Sequence, residues 1–350
     1  MSYLMHENLP VLEFDTKQNF TVLLNSKLPI YLRDRIGTGK YNDIDLFTTW
    51  AANRCISIGR KYAKEILNAY QLTQNQSNTC KAAISLSFSA VSLEDHYWVC
   101  MDPNVVIFEH VDLTKCPLQK AMIQIALTGK PSIVNRQLPN PELQTFGAYA
   151  KTWQREQDGI YLHKRSETNL DESGIEVWVS DLLDKFEVNH VKYERAFLFG
   201  VETCRCKLMT TKDYSRVTAA DVNSWRYSTS GESVTQYAIK LDSKHFFEMC
   251  IIDYLIANRD RHLDNWGFFM NNHTGKLECL HPLFDHNNAF DPAFESDETE
   301  SLVVPRKTLK DVAIYAYKRN PIVLPKVTKK DFPNKEAYEW FKHAANTILQ

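Results

Sequence analysis

Residues 253–291 carry the pattern that most restricts the fold of this chain, because a helix, a loop and a hairpin follow one another there. Apolar residues at helical spacing predict a helix over 244–257. The polar loop RDRHLDN comes next, and two apolar runs at 266–270 and 277–280, separated by turn residues, predict a β-hairpin. A hairpin brings the loop before its first strand and the segment after its second strand to the same edge.

Three oxygen-bearing side chains belong to that edge. Asp260 and Asn265 stand on the loop before the hairpin and Asp285 follows its second strand, so we expect them to converge. In protein kinases the motif D-x-x-x-x-N provides the catalytic base and a metal ligand, and a later Asp binds the other metal. Asp260 and Asn265 have this spacing. Phosphoryl transfer needs such hard oxygen ligands for Mg²⁺ and a carboxylate near the accepting hydroxyl. The segment therefore predicts a phosphoryl-transfer site.

The sequences NRDRHLDNWGFF and HPLFDHNNAF resemble the catalytic segment of the HipA-like kinases. These are bacterial serine/threonine protein kinases with a two-lobed fold related to phosphatidylinositol kinases. The resemblance implies Asp260 as catalytic base, Asn265 and Asp285 as Mg²⁺ ligands, and ATP as phosphate donor. One position departs from the family, because Asn287 stands where a glycine is usual, two residues after the metal-binding Asp. Asparagine tolerates a positive φ better than most residues, so we expect the turn to be kept.

Residues 145–211 follow the order of elements of a kinase nucleotide lobe. The predicted elements are strands at 146–154 and 160–165, a helix at 174–186, and strands at 191–199 and 202–209. Lys164 on the second strand and Glu176 early in the helix take the positions of a phosphate-holding lysine and of the glutamate that orients it through an ion pair. The HipA-like resemblance extends here through DGIYLHKR and IEVWVSDLL.

The backbone that contacts the phosphates and the residues of the adenine pocket are predicted from fewer sequence features. The motif G-x-G-x-x-G is missing, and Gly147 is the glycine of the first strand of this lobe. We therefore expect the backbone of residues 146–151 to contact the phosphates, since turn amides bind anions without a full glycine motif. Residues 207–211 would form the hinge beside the adenine, and Met209 would line its pocket.

Residues 1–140 contain no chemical motif and are interpreted as an accessory or interaction domain through which a regulatory partner could bind. The predicted elements are strands at 9–14 and 20–24, a helical segment at 43–70, strands within 91–110 and a helix at 118–127. The run SLEDHYWVCMDP resembles a segment that precedes the kinase region in some HipA-like proteins. Residues 135–144, polar and carrying two prolines, are the predicted linker.

Composition excludes several other classes of function. A formal net charge of −2 gives no basic field for nucleic acid or an anionic membrane. The eight cysteines contain no C-x-x-C pair, which disfavours a zinc site and favours reduced thiols. The first residues lack the pattern of a signal peptide and no stretch reaches the length of a membrane span, so we expect a cytoplasmic protein.

The end of the chain is predicted to be short and helical, with helices at 307–318 and 334–350. The acidic run at 295–300 is interpreted as a solvated stretch. Arg259 and Arg261 of the catalytic loop could contact phosphate, but charged loop residues facing water are the simpler interpretation.

Together these patterns predict an α+β fold, with an accessory domain at 1–140 and a bilobal kinase domain at 145–350. Its N-lobe would span about 145–211 and its reduced C-lobe about 212–350. The predicted activity is transfer of the ATP γ-phosphate to a serine or threonine of a protein substrate. Three alternatives stay open at this point: a lipid or small-molecule kinase of the same fold, a catalytically silent nucleotide-binding module, and an interaction protein acting through residues 1–140.

Overall fold

The computed structural model describes residues 1–17, 19–167, 171–291 and 297–350, and shows a mixed α/β chain with three antiparallel sheets in those ranges. This agrees with the predicted α+β class. The first sheet has the strand order β3-β2-β1-β4. Its strands are β1 (Ser2–His6), β2 (Leu9–Phe14), β3 (Phe20–Val22) and β4 (Tyr97–Cys100). Between β3 and β4 lie helices α1 (Asp43–Ala52), α2 (Ala63–Ala69) and α3 (Asn78–Ser87), and α4 (Lys120–Thr128) follows β4.

The helical segment predicted at 43–70 is two helices rather than one. Asn42 caps α1 by accepting hydrogen bonds from the amides of Ile44 and Asp45. The chain then leaves the helix at Asn53 and resumes at α2, because Arg54 and Arg60 in this break turn inward to buried partners. Side-chain pairing overrides the helical periodicity here.

Within 91–110 only β4 forms among the described residues, so the prediction of further strands there is wrong for residues 105–108. The sequence Asp102-Pro103-Asn104 makes a turn instead. The amides of Val105 and Val106 bond back to the carbonyl of Asp102, which starts a helical turn where a strand would need extended backbone.

The second half of the predicted linker is buried, contrary to the expectation for a polar, proline-bearing stretch. Asn140 and Glu142 are each 1% exposed. The Glu142 carboxylate pairs with Arg60 at 2.5 Å and accepts a hydrogen bond from Thr152 at 2.7 Å. Burial of the carboxylate with these partners holds the segment against the following sheet.

The second sheet has the order β5-β6-β8-β7 and packs on helix α5. Its strands are β5 (Lys151–Glu156), β6 (Gly159–Lys164), β7 (Tyr193–Leu198) and β8 (Val201–Lys207), and α5 spans Glu172–Phe186. The predicted order of elements is confirmed. The first strand begins at Lys151 rather than at 146, since Gly147 has a φ of 98° that a strand does not accommodate.

The third sheet has the order β11-β10-β9 and forms the predicted hairpin plus one strand that the prediction missed. These strands are β9 (Tyr214–Thr218), β10 (Gly267–Asn271) and β11 (Leu277–Leu280). Helices α6 (Ala219–Ser230), α7 (Val234–Leu255), α8 (Leu309–Arg319) and α9 (Lys335–Ile348) complete the chain. The helix predicted at 244–257 is the second half of α7, beyond a kink at Asp242.

The acidic run at 295–300 falls partly outside the described residues, since 295 and 296 are not among them. In its described part Glu298 and Glu300 are exposed, as predicted, whereas Asp297 is partly buried and paired. Its carboxylate accepts a hydrogen bond from Tyr254 at 2.6 Å and lies 3.3 Å from Lys310. The eight cysteines are free thiols. In the described ranges, no helix combines the length and the apolar character needed to cross a bilayer.

Candidate active site

Lys164 lies at the end of β6, and its ammonium contacts one group from α5, one from β7 and one from the loop after β11. It donates to the Glu176 carboxylate of α5 at 2.5 Å, to the Asp285 carboxylate at 2.7 Å and to the Tyr193 hydroxyl of β7 at 3.2 Å. The predicted ion pair of Lys164 and Glu176 is therefore present. Glu176 is fully buried, and its second oxygen accepts from the amide of His286 at 2.9 Å. Glu176 thus links α5 to both Lys164 and the segment after the hairpin.

The charges around Lys164 stabilise one another. Burial alone would lower the pKa of Lys164, but the carboxylates of Asp285 and Glu176 hold it well above its usual range. Burial likewise opposes ionisation of Asp285, yet Lys164 and Lys151 hold the pKa of that carboxyl well below its usual value. Both groups are therefore charged at neutral pH.

Asp260 and Asn265 lie on the loop after α7, as predicted. Asn265 donates from its side-chain amide to the carbonyl of Asp260 at 2.9 Å, which fixes the distance between the two positions. Asp260 accepts a hydrogen bond from Asn288 at 2.8 Å. Within the described part of the chain no hydrogen bond is made by the amide oxygen of Asn265, so it is available as a ligand.

Arg261 is the residue that connects this loop to its surroundings, and the expectation that it faces water is wrong. Its side chain is 1% exposed and pairs with the buried Asp253 of α7 at 2.9 Å. It also donates to the carbonyls of Asn265 at 2.7 Å and Phe284 at 2.6 Å. One guanidinium therefore connects α7, the loop after it and the residue before Asp285. Arg259, by contrast, is 45% exposed and pairs with Asp291.

The turn at Asp285 is built differently from the expectation. The positive φ of this turn lies at Asp285 itself, with a value of 58°, and not at Asn287. Asn287 therefore needs no glycine-like backbone, and its side chain lines the cleft.

All the predicted site residues except Glu176 line one cavity of about 770 Å³. Those that do so are Gly147, Lys164, Met209, Asp260, Asn265 and Asp285. Glu176 lies behind the cavity wall and reaches it through Lys164. The volume falls in the range of small-molecule and cofactor sites.

Lys151 is a cavity residue to which the sequence prediction gave no role of its own. It stands opposite Lys164 in the register of β5 and β6, so the two side chains leave the sheet on the same face. Burial, followed by repulsion from Lys164, lowers the pKa of Lys151 to about 8. The ammonium lies against Gly147, where any side chain would displace it. Lys151 is the cross-strand partner of Lys164, and this can be recognised only when the pairing of β5 and β6 is known.

The donor set fits Mg²⁺ better than a metal held entirely by protein. No group of three His, Cys, Asp or Glu side chains in the described ranges converges on a metal position. Asn265 and Asp285 offer one amide oxygen and one carboxylate. Mg²⁺ keeps several waters and is bound by one or two carboxylates plus substrate phosphates, so this small set is the expected one.

Comparison with known proteins places the fold. No family model and no curated protein matches the chain. Among solved structures, HipA of the Shewanella oneidensis MR-1 toxin–antitoxin system, solved with HipB and operator DNA, matches 100% of this chain and 96% of its own, with 12% identity and a TM-score of 0.54. The Helicobacter pylori proinflammatory kinase CtkA matches 57% of this chain and 89% of its own, with 16% identity and a TM-score of 0.44. The chain therefore has the HipA-like kinase fold.

Proposed function

We propose that this protein is a serine/threonine protein kinase that transfers the γ-phosphate of ATP to a protein hydroxyl. The observation that supports it most is the contact of Lys164 with both Glu176 and Asp285 at the edge of a cavity that Asp260 and Asn265 also line. A structural ion-pair network would not need an amide and a further carboxylate on the same cavity wall. In this proposal β5–β8 with α5 form the nucleotide lobe of a bilobal domain, and residues 212–350 form its reduced second lobe.

The proposed roles follow from the charges. Lys164 and Lys151 would hold the phosphates, and Gly147 would let the backbone approach them closely. Asn265 and Asp285 would hold Mg²⁺, which when bound neutralises charge on the phosphates. Met209, beside the cavity after β8, would line the adenine pocket.

Asp260 would perform the proton transfer. The substrate hydroxyl oxygen attacks the γ-phosphorus, the bond to the β–γ bridging oxygen breaks, and ADP leaves with that electron pair. The hydroxyl proton passes to the Asp260 carboxylate, which Asn288 orients. Charge neutralisation and positioning supply most of the catalysis in this reaction class.

Transfer of label from ATP tests the proposal. The purified protein is incubated with γ-labelled ATP and Mg²⁺, alone and with a generic basic protein, beside the Asp260→Ala variant. We expect acid-stable label on serine or threonine that is lost in Asp260→Ala. ATP binding without transfer would instead favour a small-molecule or lipid kinase, or a silent nucleotide-binding module.

A further inference from the structure

Part of the segment 92–95, within the first 140 residues, lines the same cavity as the proposed catalytic residues. Ser92, Glu94 and Asp95 all face it. They belong to the run SLEDHYWVCMDP, for which neither the predicted accessory role nor the proposed reaction gives a function. These residues contact Arg54 of the first 140 residues on one side, and Thr210 and Arg216 of the proposed kinase region on the other.

On its inner side the segment is fixed by Arg54. The Asp95 carboxylate accepts two hydrogen bonds from the Arg54 guanidinium, at 2.7 and 2.8 Å. Arg54 also donates to the carbonyl of Ala90 at 2.6 Å and lies 4.9 Å from the centre of the Trp50 ring. A planar guanidinium held by a bidentate pair and a ring face has little freedom, so the segment it binds is rigid.

On its outer side the segment docks on the kinase region through Glu94. The carbonyl of Glu94 accepts hydrogen bonds from the Arg216 amide at 2.8 Å and from the Thr210 hydroxyl at 3.1 Å. The Glu94 carboxylate pairs with the Arg216 guanidinium at 3.0 Å. Both strand β9 and the hinge after β8 are thus attached to residues 1–140 at this point.

Arg216 also contacts Phe284, the residue before the proposed metal ligand Asp285. Its guanidinium lies 4.7 Å from the centre of the Phe284 ring. Phe284 also belongs to one buried hydrophobic cluster with Val191 and Cys206 of the proposed nucleotide lobe. Phe284 is therefore held between that lobe and Arg216, and its carbonyl is fixed by Arg261. All three contacts are made by the residue that directly precedes Asp285.

We propose that Glu94 and Arg216 are positioning residues for Asp285, so that residues 1–140 form part of the catalytic unit. Glu94 holds the Arg216 guanidinium over Phe284, and Phe284 keeps Asp285 beside Lys164 and the Mg²⁺ position. The catalytic consequence rests on the proposed kinase function. The mechanical coupling between Glu94 and Phe284 does not, and it can be measured without turnover.

The test uses the full chain with three substitutions. Glu94→Gln and Arg216→Gln remove the ion pair from either side. Glu156→Gln is the matched control, because Glu156 and Arg205 form a similarly half-exposed ion pair that does not line the cavity. Two quantities are measured for each protein: amide hydrogen exchange of residues 283–286 without nucleotide, and the Mg²⁺ concentration that gives half-maximal phosphate transfer.

We expect both cavity variants to show faster exchange at residues 283–286 and to need about tenfold more Mg²⁺, while Glu156→Gln behaves as the wild type. Unchanged exchange in both cavity variants, with normal wild-type turnover, overturns the inference and leaves the proposed kinase function standing. Faster exchange in both variants of a protein that shows no wild-type turnover supports the coupling and overturns the kinase function.

Discussion

At the scale of single residues, the charge of Lys151 decides how the cleft responds to pH. Lys151 and Lys164 face each other across β5 and β6. Within the described ranges, Lys164 pairs with two carboxylates and Lys151 with none. Burial and the neighbouring cation lower the pKa of Lys151 to about 8, whereas the pKa of Lys164 is raised. Lys151 is therefore charged at neutral pH and loses its proton as the pH rises through about 8.

We predict that ATP affinity falls as the pH rises from 7.5 to 9. Bound phosphate stabilises the charged form of Lys151, so binding must take up a proton once the free lysine is neutral, and the dissociation constant should rise up to about tenfold. Calorimetric titrations at constant Mg²⁺ and ionic strength measure this. In Lys151→Met the affinity should be weak at both pH values, and a wild-type pH dependence in that variant would contradict the assignment.

The sequence predicted Lys164 and Glu176 but not Lys151, for a physical reason. Lys164 and Glu176 could be assigned from the order of strands and helix along the chain, because a kinase nucleotide lobe pairs a lysine of the second strand with a glutamate of the helix. The role of Lys151 comes from cross-strand register, which depends on where β5 begins, and the positive φ of Gly147 moves that start to Lys151. A pattern of alternating residues does not contain that information.

At the scale of elements, Arg261 connects α7, the loop that follows it and the segment after β11. The side chains of Arg261 and Asp253 are 1% and 2% exposed, so removal of one charge leaves the other buried without its partner. Sequence spacing cannot distinguish this arginine from Arg259 two residues earlier, because both lie in the same polar loop. The difference arises from the packing of the loop against Asp253.

We predict that Arg261→Ala lowers the free energy of unfolding by about 3–5 kcal/mol, the cost of breaking a buried ion pair. The matched control is Arg259→Ala, which removes a half-exposed pair and should cost less than about 1 kcal/mol. Urea unfolding followed by circular dichroism measures both. Equal losses in the two variants would show that Arg261 does not join these elements.

At the scale of the whole molecule, residues 1–140 pack directly on the third sheet. The Arg33 side chain donates to the carbonyl of Gly275 in the β10–β11 turn at 2.7 Å, and the Lys27 ammonium to that of Asn272 at 2.5 Å. Apolar residues from β1, β2 and α1 belong to the same core as those of α7 and β10. A linker at 135–144 was predicted from composition, and a linker suggests two separate domains. Composition did not predict that residues 1–140 pack on the hairpin, because the residues in contact are far apart in the sequence.

Gly275 offers a test of that packing. It has a φ of 72°, and a methyl group there would lie 2.3 Å from the carbonyl oxygen of Ser26. Gly231 has nearly the same φ, 71°, with nothing within 4 Å of the same position. Gly231→Ala should cost about 1–2 kcal/mol for backbone strain alone. Gly275→Ala should cost a further 1–3 kcal/mol, roughly the penalty of overpacking.

Urea unfolding of the two glycine variants compares these costs directly. A larger loss in Gly275→Ala, in a single cooperative transition, is the result expected if residues 1–140 and the hairpin are docked in solution. Equal losses in the two variants would mean that the segment carrying Ser26 does not sit against the hairpin turn.

Calorimetric titration of ATP tests most directly whether Lys164 holds the phosphates of a bound nucleotide. ATP is titrated, with and without Mg²⁺, into the wild type, Lys164→Met and Lys192→Met. Lys192 is a half-exposed lysine directly before β7 that pairs with Asp181 and Asp184 outside the cavity, so it controls for loss of a charge. We predict Mg²⁺-dependent binding that weakens at least about tenfold in Lys164→Met and is unchanged in Lys192→Met. Absence of binding by the wild type, or equal binding by all three proteins, would contradict this prediction.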